Sequence, residues 1–318
     1  MQKQLNETSE QTAKSQDGKQ AVDLDSPGVA KALAKRIKED VDEYCATVYD
    51  DGPRRHLGAS LIGHECKRYL WYVFRWCLHE KHDGRQQRLL NRGHREEARF
   101  IEWLEGIGFQ VWFEDRNSPP DAEGNYPQYR ISGVNGHFGG SLDGIAKLPE
   151  RYGIDEPVLL EFKTNGTGAG FNKLGTDGMP VAKPQHFAQT STYGFKYGFR
   201  YVVYLNINKN DDNLHIEVTK LDHKLGAQME MKAEQIITSQ TPPARLSDNP
   251  TFHKCGYCAM KGICHEKKAP ERNCRSCSYA TPVENAEWFC SLPAHNANIP
   301  REFIPQGCGE YKAITENV

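Results

Sequence analysis

The chain is 318 residues long, enough for about two domains. Its hydrophobic fraction of 38% can supply a core, and its formal net charge of −2 excludes a polybasic coat protein, so any nucleic-acid contact must come from local basic patches. No apolar run approaches the ~20 residues that span a bilayer, and residues 1–25 are polar, with no apolar stretch like that of a signal peptide. The expectation is a disordered tail over 1–25, no membrane partner and a reducing, cytoplasmic setting. There, ten cysteines favour metal ligation over disulfides.

In chain order, Val29, Leu33, Ile37, Val41 and Cys45 recur at helical spacing and predict a helix over 29–48, with Cys45 a buried thiol on its stripe. Ser60 can cap a second helix that runs through Trp76 and carries Cys66. A third is expected over 85–105, containing His94 and broken at Gly106-Ile107-Gly108. Strand patterns follow over 109–113, 129–134, 137–147 and 158–164. Residues 165–180 are glycine-rich and broken, and read as a mobile flap. Pro184 suits the start of a helix to Tyr197. A hairpin over 200–208 and 214–219 and a helix over 221–239 complete the periodic part. Beyond Thr241, Pro, Cys and Gly take over. Strands interleaved with helices predict a mixed α/β fold, a central sheet flanked by helices, with a cysteine-rich extension.

The sharpest local signal is Val158-Leu159-Leu160-Glu161-Phe162-Lys163. Strand alternation points Val158, Leu160 and Phe162 to one face and Leu159, Glu161 and Lys163 to the other. A carboxylate and an ammonium then leave one rigid strand side by side. Asp143 stands earlier, in Gly140-Ser141-Leu142-Asp143-Gly144. Two carboxylates on neighbouring strands make an oxygen-rich site for Mg²⁺ or Mn²⁺. A neutral imidazole from His94 beside them would favour Mn²⁺. Gln189 and Tyr193, four apart, share a helical face and can contact DNA or support the carboxylates. Taken singly, each of these patterns is more often a solvated face or a structural side chain.

Together, in this order, His94, Asp143, the Glu161-Phe162-Lys163 triplet, Gln189 and Tyr193 resemble the RecB-like branch of the PD-(D/E)XK nucleases. The resemblance covers about 60–264. It implies a restriction-endonuclease-like sheet, metal ligation by His94, Asp143, Glu161 and the Phe162 carbonyl, a catalytic Lys163, and a trailing helix bearing Gln189 and Tyr193. Leu142 stands where the family motif often has proline. It also implies a DNA exonuclease acting on single-stranded or frayed ends in recombination, repair or phage DNA metabolism, with a recombination or repair protein as partner. For a phage-encoded protein the setting is the host cytoplasm.

Cys255, Cys258 and Cys264 lack a fourth ligand. The segment 60–68 resembles the one that holds the first cluster cysteine in iron–sulfur RecB-like nucleases, which makes Cys66 the fourth. Four thiolates suit a 4Fe–4S cluster and also suit zinc. Cys77 is expected to be buried. Cys274, Cys277, Cys290 and Cys308 form a second group, read as a structural zinc ribbon, with His295 able to replace one thiol. The spacing leaves other partitions of the downstream cysteines open. The expected domains are the tail over 1–25, a nuclease domain over 26–266 and a zinc-ribbon-like tail over 267–318.

Arg85, Arg88, Arg92 and Arg95 at helical spacings, with Lys67, Arg68 and Arg75, could follow a DNA backbone. Phe171 and Lys173 in the flap could stack on and pair with it. Two rival readings stand beside this one. A zinc deaminase would use His94-Arg95-Glu96 and Cys255-x2-Cys258, but their separation is far too long and Lys254 stands where proline is expected. A non-catalytic iron–sulfur DNA-binding accessory protein would keep the fold without needing Asp143, Glu161 and Lys163 intact.

Overall fold

A computed structural model describes residue 24 and residues 28–314. The expected tail over 1–25 lies, but for Leu24, outside the described residues. In chain order these form α1 (Val29–Val48), β1 (Leu57–Gly58), α2 (Ala59–Ile62), α3 (Lys67–Phe74), α4 (Gly84–Gly106), β2 (Gln110–Trp112), β3 (Arg130–Gly133), β4 (Phe138–Ser141) and β5 (Gly144–Lys147). There follow β6 (Val158–Asn165), α5 (Ala169–Ala182), α6 (Pro184–Tyr197), β7 (Tyr201–Asn208), β8 (Leu214–Lys220), α7 (His223–Thr238), α8 (His253–Gly256), α9 (Lys261–His265), β9 (Ala280–Pro282), β10 (Trp288–Cys290) and β11 (Ala297–Asn298). No described helix is long and apolar enough to cross a membrane.

The chain divides into two compact units. The smaller holds the described residues up to Asp50 together with His82–Arg88. Within it Arg88 Nη1 lies 2.6 Å from Asp42 Oδ1. Cys45 is buried as expected, whereas Ile37 and Val41 on the same stripe are exposed.

The larger unit, Asp51–Lys81 with the described residues from Leu89 onward, is built on a five-stranded sheet in the order β2-β5-β6-β7-β8. β6 and β7 are parallel and the other pairs antiparallel. A parallel pair needs a crossover and both faces covered; α5 and α6 supply the crossover. The strand periodicity of β6 then sorts its side chains. Val158, Leu160 and Phe162 face a core shared with Phe100 and Leu104 of α4, where the Phe100 and Phe162 rings stack at 5.0 Å. Leu159 faces the other core, with Leu174 and Met179 of α5, Tyr193 of α6 and Ala233, Ile236 and Ile237 of α7. Each fully buried leucine contributes roughly 1.5–3 kcal/mol.

The helices end where local chemistry ends them. Pro184 opens α6, and Gly198 closes it in the left-handed region at φ 83°. Asp222 caps α7 by accepting from the backbone N–H of Lys224 and Leu225 at 2.9 and 3.1 Å. The α6–α7 contact is close: a Cβ on Gly226 would stand 2.3 Å from the Ser191 carbonyl oxygen.

Three expectations are corrected. The helix from Ser60 through Trp76 is two helices, α2 and α3; Ser60 lies inside α2, and Cys66 is the N-cap of α3, its sulfur accepting from Tyr69 N–H at 3.4 Å. At the break, a Cβ on Gly63 would meet Gln185 Cα at 2.7 Å. The strand over 137–147 is also two strands, because β4 belongs to a separate three-stranded sheet, β1-β4-β3, and β5 to the five-stranded one. The expected flap over 165–180 is mostly α5. It bends at Gly178 (φ 70°), and the next residue, Met179, donates its N–H to Glu217 Oε2 at 2.7 Å. In the cysteine-rich region a small sheet, β9-β10-β11, sends Trp288 into the same core as Trp71 and Phe74.

Candidate active site and thiol clusters

Asp143 falls in the two-residue break between β4 and β5. Leu142 before it is fully buried, its N–H held by the Tyr129 carbonyl at 2.8 Å. This fixes the Asp143 carboxylate beside β6, where Oδ2 accepts the Phe162 N–H at 2.6 Å. Glu161 is fully buried on the sheet. Lys163 reaches back along its own strand: Nζ donates to Glu161 Oε1 and, at 3.0 Å, to the Phe162 carbonyl, and lies 3.7 Å from Asp143 Oδ2. Three oxygens of different residues thus converge on one cationic nitrogen. The second Glu161 oxygen, Oε2, is buried and has no hydrogen-bond partner among the described residues.

The charges explain the proton affinities. Burial raises the Glu161 carboxyl, Lys163 works against that, and Asp143 adds to it. Burial alone would lower Lys163, but Glu161 and Asp143 hold its ammonium well above the ordinary lysine value. α6 closes the site from its own side. Tyr193 is buried, its phenol raised by burial and by the nearby Glu161 charge, and it accepts from Gln189 Nε2 at 3.3 Å. Gly140 makes room for it, since a Cβ there would stand 2.5 Å from the Tyr193 hydroxyl. His186 of the same helix shares a hydrogen bond of 2.9 Å with Tyr204 Oη, and burial with Lys163 and Lys183 lowers its imidazole to about 3, so it stays neutral.

His94 is not brought to this cluster. It is exposed on α4, and among the described residues it makes no hydrogen bond or ion pair with Asp143 or Glu161. The α4 side chain that senses the site is Glu97, one turn on. Burial and the Asp143 charge push its carboxyl up to about 7, against the pull of Lys163 and a hydrogen bond of 3.3 Å from Gln128. Glu97 was not singled out in the sequence; its distance of three from His94, on one helix face, was the available signal.

Of the expected DNA-contacting residues, Arg95 is exposed and bonds Asn91. Arg92 is committed to the Lys209 carbonyl at 3.2 Å and to Glu96 and Asp212 at 3.6 and 3.8 Å. Phe171 is half-buried and Lys173 exposed, both on α5 rather than a flap. Arg68 and Arg75 are buried, with Arg68 Nη1 on the Pro243 carbonyl and Arg75 Nη1 on that of Ala280. They hold the fold and are not free to track a backbone.

Two cavities collect the cysteines. Cys66, Cys255, Cys258 and Cys264 line one of about 530 Å³. Cys274, Cys277, Cys290 and Cys308 line a second of about 20 Å³. In each, one thiol is raised by its surroundings: burial, then Cys66, Cys264 and Cys255, raise Cys258, and burial, then Cys308, Cys277 and Cys290, push Cys274 up to about 11. Cys77 stands outside both groups, buried and pushed up to about 12. Among the described residues, no three His, Cys, Asp or Glu side chains already stand as a finished ligand set for a metal ion.

No family model matches the chain, and no curated protein does. Among solved structures, the chain is similar to the crystal structure of SSO0001, at 15% identity over 72% of this chain and 96% of that one, with a TM-score of 0.41. It is also similar to an alkaline exonuclease, LHK-Exo, from Laribacter hongkongensis, at 17% identity over 62% of this chain and 90% of that one (TM-score 0.36). The complex of LHK-Exo with dAMP matches at 16% identity over the same shares, with a TM-score of 0.37. Likeness this slight transfers neither fold nor activity.

Proposed function

We propose that this protein is a divalent-metal-dependent deoxyribonuclease, an iron–sulfur relative of the RecB-like PD-(D/E)XK enzymes. The observation that carries the reading is the convergence of Asp143, Glu161 and the Phe162 carbonyl on one positive centre, with a buried Glu161 oxygen left unpaired. A place that already holds an ammonium among three oxygens suits a hard cation. Asp143, Glu161 and the Phe162 carbonyl would hold it, with Glu97 adjoining and His94 within the same helix. Mg²⁺ or Mn²⁺ there would supply Lewis acidity and an acidified water.

The chain's own groups would do the rest. Lys163 would leave Glu161 for a non-bridging phosphate oxygen and balance its charge. Tyr193, kept protonated by burial, and Gln189 would keep the carboxylates in place. Arg95 and Lys173 would meet the DNA backbone, and Phe171 would offer a partial stacking face. Substrate ends that are single-stranded or frayed are the direction in which the resemblance points.

The thiol clusters fit soft metal centres, because four cysteines lining one cavity can offer four thiolate ligands. A 4Fe–4S cluster at Cys66, Cys255, Cys258 and Cys264 would tie the start of α3 to α8 and α9. Zinc at the second group would fix the small sheet.

The test is end-labelled DNA with defined 5′ and 3′ ends, incubated in chelator, Mg²⁺ or Mn²⁺. Cleavage should need the ion and fall by about 100-fold or more in Lys163→Ala, with DNA binding kept. Cleavage by that variant at the wild-type rate would remove Lys163 from the mechanism.

A further inference from the structure

Between the three-stranded sheet and the cysteine-rich tail lies a cavity of about 430 Å³ that no step above uses. Arg55, Arg130, Arg275, Arg301 and His56 line it, with the indoles of Trp76 and Trp288, and no carboxylate does so among the described residues. It shares no lining residue with the Asp143–Glu161–Lys163 cluster.

Arg275 is the decisive side chain. It is 1% exposed, yet among the described residues its Nε and Nη2 have no hydrogen-bond partner. Only Nη1 is used, donating to the Arg55 carbonyl at 3.0 Å and that of Arg54 at 3.4 Å. The Trp76, Phe74 and Trp288 rings lie 4.4, 4.6 and 4.7 Å from its guanidinium carbon. Such a cage offsets part of the cost of burying the cation, but a ring face does not replace an in-plane hydrogen-bond acceptor. A second buried guanidinium, Arg75, lies over the Trp288 ring at 5.0 Å, and among the described residues its Nε is also unpaired. The local excess of positive charge has a further signature: burial and then Arg130, Arg54 and Arg275 lower the His56 imidazole.

The geometry points to a binding pocket for a phosphate monoester, carried by a nucleotide or by a phosphorylated nucleic-acid end. Guanidinium forks arriving from several sides match the oxygens of a dianionic phosphate better than a planar carboxylate. The volume exceeds what a bare anion needs and falls within the range of small-ligand sites. Arg275 would supply the buried donors, and Arg55, Arg130 and Arg301, all exposed, the rim.

The experiment is titration of the full-length protein at low salt, followed by tryptophan fluorescence and calorimetry. The probes are inorganic phosphate, thymidine monophosphate, and one short oligonucleotide with either a 5′-phosphate or a 5′-hydroxyl. Saturable binding is expected, and Arg130→Gln/Arg301→Gln should weaken it by about tenfold or more. Both positions are exposed, so this variant should keep the wild-type melting curve. Lys163→Ala should bind as wild type, which separates the pocket from the nuclease reading. Tighter binding of the phosphorylated oligonucleotide than of its hydroxyl twin assigns the pocket to strand ends, and binding of the mononucleotide alone assigns it to free nucleotide. No saturable binding of any phosphorylated probe, or equal affinity in the rim variant, would overturn the proposal.

Discussion

Replacing Glu97 by glutamine removes one ionisation from the edge of the acidic site and leaves its shape. In the folded chain this carboxyl is pushed from 4.5 up to about 7, first by burial and then by Asp143. That interval corresponds to about 3 kcal/mol, and because the side chain still meets water we expect roughly 1.5–2 kcal/mol of it. The sign follows from linkage. Below pH 4.5 the group is protonated whether the chain is folded or not, and it costs nothing. As pH rises toward 7 the unfolded chain releases this proton first, and the stability carried by the neutral folded carboxyl is lost. Glutamine imitates the neutral form at every pH. Wild type and Glu97→Gln should therefore melt together at pH 4.5 and part progressively up to pH 8. There the variant should be higher by about 3–4 °C, taking roughly 2 °C per kcal/mol for a body of this size. The assay is calorimetry in chelator across that range. Mn²⁺ should then raise wild type more than the variant, because only the carboxylate can meet the ion. A gap that stays constant with pH would refute the assignment of Glu97 to the Asp143 field.

Protein purified without oxygen should be brown, with broad absorbance near about 400 nm. Cys258→Ser should lose that colour and keep its zinc, and Cys290→Ser should do the reverse; a colourless wild type with zinc alone by elemental analysis would exclude the iron cluster. Gly226→Ala should cost about 1–3 kcal/mol in a denaturant titration, because its new methyl collides with the Ser191 carbonyl. An unchanged midpoint would mean that α6 and α7 do not approach as described.

Much of the site was legible because β6 writes its own environment: a Val-Leu-Leu-Glu-Phe-Lys run has a strand period, and the period alone places Glu161 and Lys163 on one face. The bounds of α1, α6, β7 and α7 were legible to within about two residues, through periodic stripes and Pro184. What escaped depended on contacts remote in sequence. The segment 165–180 carries glycines and Pro180, poor helix formers, yet Leu174 and Met179 find a core and the α5 backbone follows them. Locally, only its step of three from His94 marks Glu97 apart from Glu96 beside it; Glu96 pairs along its own helix with Arg92 and Arg99, and the fold sets Glu97 in the field of Asp143. Arg275 reads as a solvated residue inside a Cys-x2-Cys knuckle, and its burial depends on Trp76, about two hundred positions away.

The position of Asp143 has a mechanical consequence. Its two flanking strands answer to different sheets, so this acid sits at the seam between the two. A slide of the small sheet over the large one would disturb the Asp143 bond to the Phe162 amide, so the alignment of Asp143 with Glu161 and Lys163 reports on how those layers are seated.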